Sequence, residues 1–129
     1  MLVDTTASRF HVGERWRYRT RPREEDSLLT VLKVEAHPRL GVIVHVSVDG
    51  LRIKNPHAPT GFSRKVGHMP MAEQALEGSV TALVKTEADL PAFAEGYRLW
   101  RSGFDEGKAG TFTCSVADAL GHMESILGE

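Results

Sequence analysis

The 129-residue chain has one cysteine, Cys114. A single thiol allows no disulfide within the chain and no cysteine-built zinc site, so nothing marks an oxidising compartment. Long hydrophobic runs are missing too. The most apolar stretch, Val42 to Val48, is broken by His45 and Ser47 and is far too short to span a bilayer. The first residues carry Asp4 where a secretory leader carries basic charge. The expectation is a cytoplasmic protein that does not engage membranes. Aromatic residues are few, at 7%, and Gly (12) and Pro (6) are ordinary, which excludes collagen-like and low-complexity chains. There is no internal repeat. The length suits one domain, expected over residues 9–129 with a disordered segment at 1–8.

The chemical motifs that name an enzyme are also lacking. No Gly-x-Ser-x-Gly elbow occurs. No pair of histidines shows zinc-helix spacing among the six at positions 11, 37, 45, 57, 68 and 122. Gly103-Phe-Asp-Glu-Gly107-Lys108-Ala109 is one residue short of a phosphate-binding loop and has Ala where a magnesium-holding hydroxyl belongs. No metal or cofactor is expected.

What is present is a charge split. The net charge is −1, yet residues 1–65 hold 12 basic and 7 acidic side chains, whereas residues 66–129 hold 4 and 10. Such halves either pack against each other or leave a basic binding face. The basic half contains an arginine row. Arg15, Arg17, Arg19 and Arg21 alternate with Trp16 and Tyr18, which in a strand puts guanidiniums on one face and rings on the other. Leu28 to Glu35 is apolar at both parities, as suits a central strand.

Val42 to Lys54 reads as a hairpin about Asp49-Gly50, a strong two-residue turn signal. That register pairs Val48 with Leu51 and Val46 with Ile53. It leaves His45, Ser47, Arg52 and Lys54 on the polar face. Asn55 to Met69 comes next as a long aperiodic connection containing His57, Arg64, Lys65 and His68, and such connections are commonly functional.

Pro70 then fits the first turn of a helix with a stripe at Leu76, Val80, Leu83 and Val84. Asp89 and Pro91 open a second helix, with Phe93, Tyr97, Trp100 and Phe104 on one face. Thr111 to Val116 reads as a strand with Cys114 on its apolar side. Ser115 and Asp118 then cap a last helix that turns Val116, Leu120, Met123 and Ile126 inward. The order β-β-β-β-α-α-β-α argues for an α+β domain, an antiparallel sheet of about five strands with helices on one face.

His45-Val-Ser-Val-Asp-Gly-Leu51, Gly67-His-Met-Pro70, Tyr97-x-x-Trp100 and Phe104-Asp-x-Gly-x-Ala-Gly-x-Phe-Thr113 together resemble a family of small uncharacterised bacterial cytosolic proteins. The resemblance runs from Phe10 onward and implies a bacterial origin; it assigns no residue a role.

Three functional readings are open. The first is a non-enzymatic, adaptor- or immunity-like domain. It would bind an acidic protein partner through Arg15, Arg17, Arg19, Arg21, His45, Arg52 and Lys54 on the sheet and His57, Arg64, Lys65 and His68 in the 55–69 loop. The second is a small-molecule binder or enzyme with a pocket between sheet and helices, served by His45 and His68. The third is weak RNA binding. It is the least favoured because RNA-binding sheets interleave exposed aromatics, whereas Trp16 and Tyr18 fall on the inner parity.

Overall fold

The computed structural model describes residues 1–128; Glu129, the last residue of the expected domain, lies outside the described residues. The elements in chain order are β1 (Val3–Asp4), β2 (Glu14–Tyr18), β3 (Leu28–His37), β4 (Gly41–Asp49), β5 (Ile53–Lys54), β6 (Phe62–Ser63), β7 (Val66–Ala72), α1 (Glu73–Ser79), β8 (Val80–Thr86), α2 (Ala94–Asp105) and α3 (Val116–Leu127). The main sheet runs β7-β4-β3-β2-β8, with β1 alongside β3, and every strand pair in it is antiparallel. β5 and β6 form a separate two-stranded ribbon. The domain is α+β, as the sequence indicates, with the element order corrected.

The alternation along β4 organises the core. Val44, Val46 and Val48 face one side, where they join Leu76 of α1 and Val116, Ala119 and Leu120 of α3 in the main apolar cluster. Trp16 and Tyr18 face the same cluster, and Arg17 points to solvent, so the aromatic-in, arginine-out parity of β2 holds. Ile43 faces the other way and packs with Trp100 and with Tyr97 and Phe104 of α2. Two helices therefore cover one face, and α2 covers part of the opposite one.

The expected hairpin around Asp49-Gly50 is half right. Gly50 does turn with φ +66°, and a Cβ there would lie 3.0 Å from Ser27 Cα, so the position needs glycine. The chain then leaves the sheet. The Leu51 amide donates to Arg64 O (2.8 Å), and β7 pairs with β4 instead. β7 is seven residues long and sets the buried Met69 and Met71 opposite Val46 and Val44, more apolar area than the two-residue β5 offers. Leu51 and Ile53 still reach the predicted core face.

Five further expectations change. Residues 1–8 are tied down: Val3 pairs with Ala36, the Thr5 amide donates to Val34 O (3.0 Å), and Lys33 bonds Asp4 at 2.8 Å. The long 55–69 connection shrinks to the turn between β5 and β6, because Phe62–Ser63 and the start of β7 are strand. Pro70 lies in the edge strand β7, where its missing N–H is tolerated, so the predicted helix is only α1. The β-branched run Val80–Thr86 continues as strand β8, with Leu83 and Val84 exposed. Near the C-terminus, Phe112 makes one bridge to Met71 where a strand was expected, leaving Cys114 exposed. Ser115 caps α3 by accepting from the Asp118 amide at 3.1 Å, while Ile126 faces solvent.

Candidate functional site

Two clusters gather the candidate residues, and they differ in kind. The first lies beneath α2. Two strand irregularities build it. Along β3, Val31 sits opposite Val46 and Lys33 opposite His45, so Leu32 is an extra residue. This bulge reverses the parity of the residues after it. Val34 stays on the main core face with Val44, and Glu35 turns toward His45. Along β7, Val66 sits opposite Val48 and Met69 opposite Val46, so Gly67 and His68 together replace one position. His68 is thereby aimed at the same face.

The result is a continuous hydrogen-bonded chain. Glu35 is 2% exposed and His45 is 0% exposed. Glu35 Oε1 lies 2.7 Å from His45 Nε2, and His45 Nδ1 lies 2.8 Å from His68 Nε2. The carboxylate assigns the proton to His45 Nε2, so Nδ1 accepts from His68 Nε2–H. Tyr97 of α2 donates to Glu35 Oε2 (2.7 Å) and accepts from Arg101 Nη1 (3.0 Å). The two imidazoles stack at 5.0 Å, and Trp100 meets His45 edge-on at 4.8 Å while donating to Gly110 O at 2.8 Å. Gly96 lets α2 settle close, since a Cβ there would stand 3.1 Å from His68 Cβ.

His45 therefore does not project from an exposed polar face. The pleat puts it opposite Val44 and Val46 as expected, but α2 roofs that side. Alternation could place His45 and could not reveal the roof.

Burial pushes both imidazoles down to about 4, helped by the Lys33 charge at His45 and by His45 at His68. Both are neutral at pH 7 and weakly basic, whereas a general base works best with a pKa near the working pH. Burial and the bond to Glu35 push the Tyr97 phenol up. Both His45 nitrogens are engaged, leaving neither for a metal, and no group of three metal-ligating side chains occurs among the described residues. The arrangement suits a clamp that holds α2 on the sheet.

The second cluster is an open cleft of about 730 Å³ at the other end of β4. Three segments meet there: the turn 21–27, the stretch 50–54 after β4, and residues 60–64 around β6. Its foundation is a buried ion pair. Arg21 grips Glu24 with two bonds of 2.8 Å and reaches Glu124 of α3 at 3.1 Å. The second Glu24 oxygen accepts the Arg52 amide at 2.6 Å. Burial alone would raise the Glu24 carboxyl; the Arg21 bonds and the Arg52 amide outweigh it and hold it below its ordinary value. Beside this pair Tyr18 bonds Ser27 at 2.7 Å, and burial pushes its phenol up to about 12.

On this base stand Arg23, Arg52 and Arg64, with Asp26, Thr60 and Phe62. None of the three arginines forms an ion pair among the described residues. The Arg52 guanidinium lies over the Phe62 ring at 4.9 Å. Arg23 is the only described non-glycine residue with positive φ, at 72°. Such strain costs of order 1 kcal/mol and concentrates at ligand sites.

The remaining candidates scatter. Arg15 pairs with Asp49 and bonds Thr30 at 3.2 Å. Arg19 donates to Gly78 O. The Arg17 side chain is exposed and makes no hydrogen bond or ion pair among the described residues. The arginine row is thus a surface feature whose members are mostly spent on the fold. Lys54 borders a smaller cleft of about 150 Å³ with Pro22, Arg23, Arg52 and Phe62. His57 sits exposed in the β5–β6 turn, its amide donating to Asn55. Lys65 edges a separate groove of about 390 Å³ with Ile53, Met123 and Ile126.

Sequence reading missed Glu35, Glu24, Arg23 and Phe62. Glu35 was hidden by the bulge. Arg-x-x-Glu at 21–24 was a readable signal for a turn-closing ion pair. No helix is long and apolar enough to cross a membrane among the described residues. Comparison of the chain with family models, with curated proteins and with solved structures found no match.

Proposed function

We propose that the protein is a non-enzymatic binding domain that engages an acidic segment of a partner protein in the cleft formed by Arg23, Arg52 and Arg64. The observation that carries this reading is that these three guanidiniums share one cleft and none is neutralised by a carboxylate of the described chain. Like charges gathered without counter-charges raise the local potential and attract anions. Arginine suits the task because its planar fork matches carboxylates. The surface combines two expected features, the basic residues after β4 and those of the 55–69 connection, and replaces the row on β2.

The alternative pocket between sheet and helices finds less support. The space above His45 is filled by Tyr97 and Trp100, and the weakly basic imidazoles are committed to each other and to Glu35. We place the protein in the cytoplasm of a bacterial cell. There an exposed free thiol such as Cys114 stays reduced, and the family resemblance agrees.

The test is binding of a fluorescent glutamate-rich peptide, monitored by anisotropy at low and high salt. Binding that weakens with salt and falls about tenfold or more in Arg52→Glu/Arg64→Glu is expected. Equal binding by that variant removes the cleft from consideration. Both side chains are exposed, so the fold tolerates the change.

A further inference from the structure

The charge balance of the cleft narrows the ligand. Glu24 is compensated from below by Arg21. Against the three lining arginines this leaves one uncompensated acid, Asp26, which forms no ion pair among the described residues. The cleft thus carries an excess of two positive charges. A single carboxylate supplies one negative charge. A phosphomonoester supplies about 1.5 to 2 at pH 7 and three strong acceptor oxygens.

Chemistry and space agree with charge. Arg52 is anchored at its amide by Glu24 and stacked on Phe62, so its fork is oriented before any ligand arrives and less rotamer entropy is lost on binding. Thr60 adds a hydroxyl at the rim. The volume of about 730 Å³ lies in the range of sites that enclose a drug-sized group, which leaves room for a phosphorylated side chain with its flanking backbone. Arginine clusters are the usual means of reading phosphorylated segments.

We infer that the cleft is a phosphomonoester site, and that the acidic segment bound there presents a phosphorylated serine or threonine to Arg23, Arg52 and Arg64. This inference rests on the binding function proposed above and names the group recognised.

Calorimetric titration with four probes tests it: a neutral peptide carrying one phosphoserine, the same peptide with Glu at that position, the same with unmodified Ser, and inorganic phosphate. The phosphopeptide is expected to bind at least about tenfold more tightly than the Glu peptide, with no binding by the Ser peptide and weak competition by phosphate. In Arg52→Lys/Arg64→Lys the charge stays but the fork is lost, so the preference for phosphoserine over Glu should collapse while the far-ultraviolet circular dichroism stays unchanged. Equal affinity for the phosphoserine and Glu peptides overturns the phosphate inference and leaves the acidic partner standing. No binding of either peptide overturns both. Phosphate binding as tightly as the phosphopeptide overturns the protein-segment source. A preference that survives the double Lys variant shows that the arginine forks do not read the group.

Discussion

The Glu35–His45–His68 chain under α2 and the arginine cleft beyond β4 are both built from charged or titratable side chains around a buried glutamate, yet they are opposites. In the first, Glu35 and His45 spend their hydrogen-bonding groups on neighbours within the fold. In the second, Glu24 is satisfied from below, and the cations above it form no ion pair among the described residues and outnumber the one remaining acid, Asp26. The difference separates two uses of polarity. A closed network holds structure and leaves nothing to offer a ligand, because partly satisfied buried groups are costly. An open set of like charges adds little to stability and is free to bind.

The sharpest way to break this contrast is to cut the closed network. His45→Ala removes partners from Glu35 and His68 and opens a cavity beneath Trp100. We expect a loss of about 4 kcal/mol in urea unfolding, with Trp100 fluorescence shifted as α2 loosens. A loss under about 1 kcal/mol would mean that the network is not a clamp.

Acid should act on the same network. Both histidines titrate near 4 in the folded state, against about 6.5 unfolded. The unfolded chain therefore takes up protons first as pH falls. Stability from the neutral pair is complete above about 6.5, erodes between 6.5 and 4, and changes no further below. For the fully buried His45 this amounts to roughly 3 kcal/mol. Proton NMR of the two imidazoles across that range checks it; ordinary histidine midpoints would contradict the closed network. A lower window belongs to Glu24. Its contribution is present above the ordinary glutamate value and is lost as pH falls through its depressed one.

Much of this contrast can be traced to what the sequence made legible. The period of two in β2 placed Trp16 and Tyr18 inside and Arg17 outside, and the same period put Val44, Val46 and Val48 on the core. Those patterns are local. The pairing of β4 with β7 was not local. Asp49-Gly50 is a true turn, and only the greater apolar area of Met69 and Met71 diverts the chain from the hairpin that it suggests. Glu35 was unreadable for a related reason. A bulge at Leu32 shifts the parity by one residue, and it shows only in the pairing of β3 with β4. Arg23, Arg52 and Arg64 are far apart in sequence, and only the fold gathers them.

Arg21→Ala probes the base of the cleft. It leaves Glu24 buried with only the Arg52 amide, and we expect a cost of about 2 kcal/mol by thermal or urea unfolding. Peptide affinity should fall as well, because the uncompensated charge of Glu24 then opposes the ligand. The smallest effect on stability belongs to the arginines above. Arg52→Ala and Arg64→Ala should each change unfolding free energy by less than about 0.5 kcal/mol, although both weaken peptide binding. A large loss in either would move these residues from the binding surface into the structural framework.

The most direct measurement is a two-dimensional amide NMR titration with the singly phosphorylated serine peptide. Shifts are expected at Arg23, Arg52, Phe62 and Arg64, with His45, His68, Tyr97 and Trp100 unmoved. Shifts centred on His68 and α2, with the arginine segments silent, would contradict it.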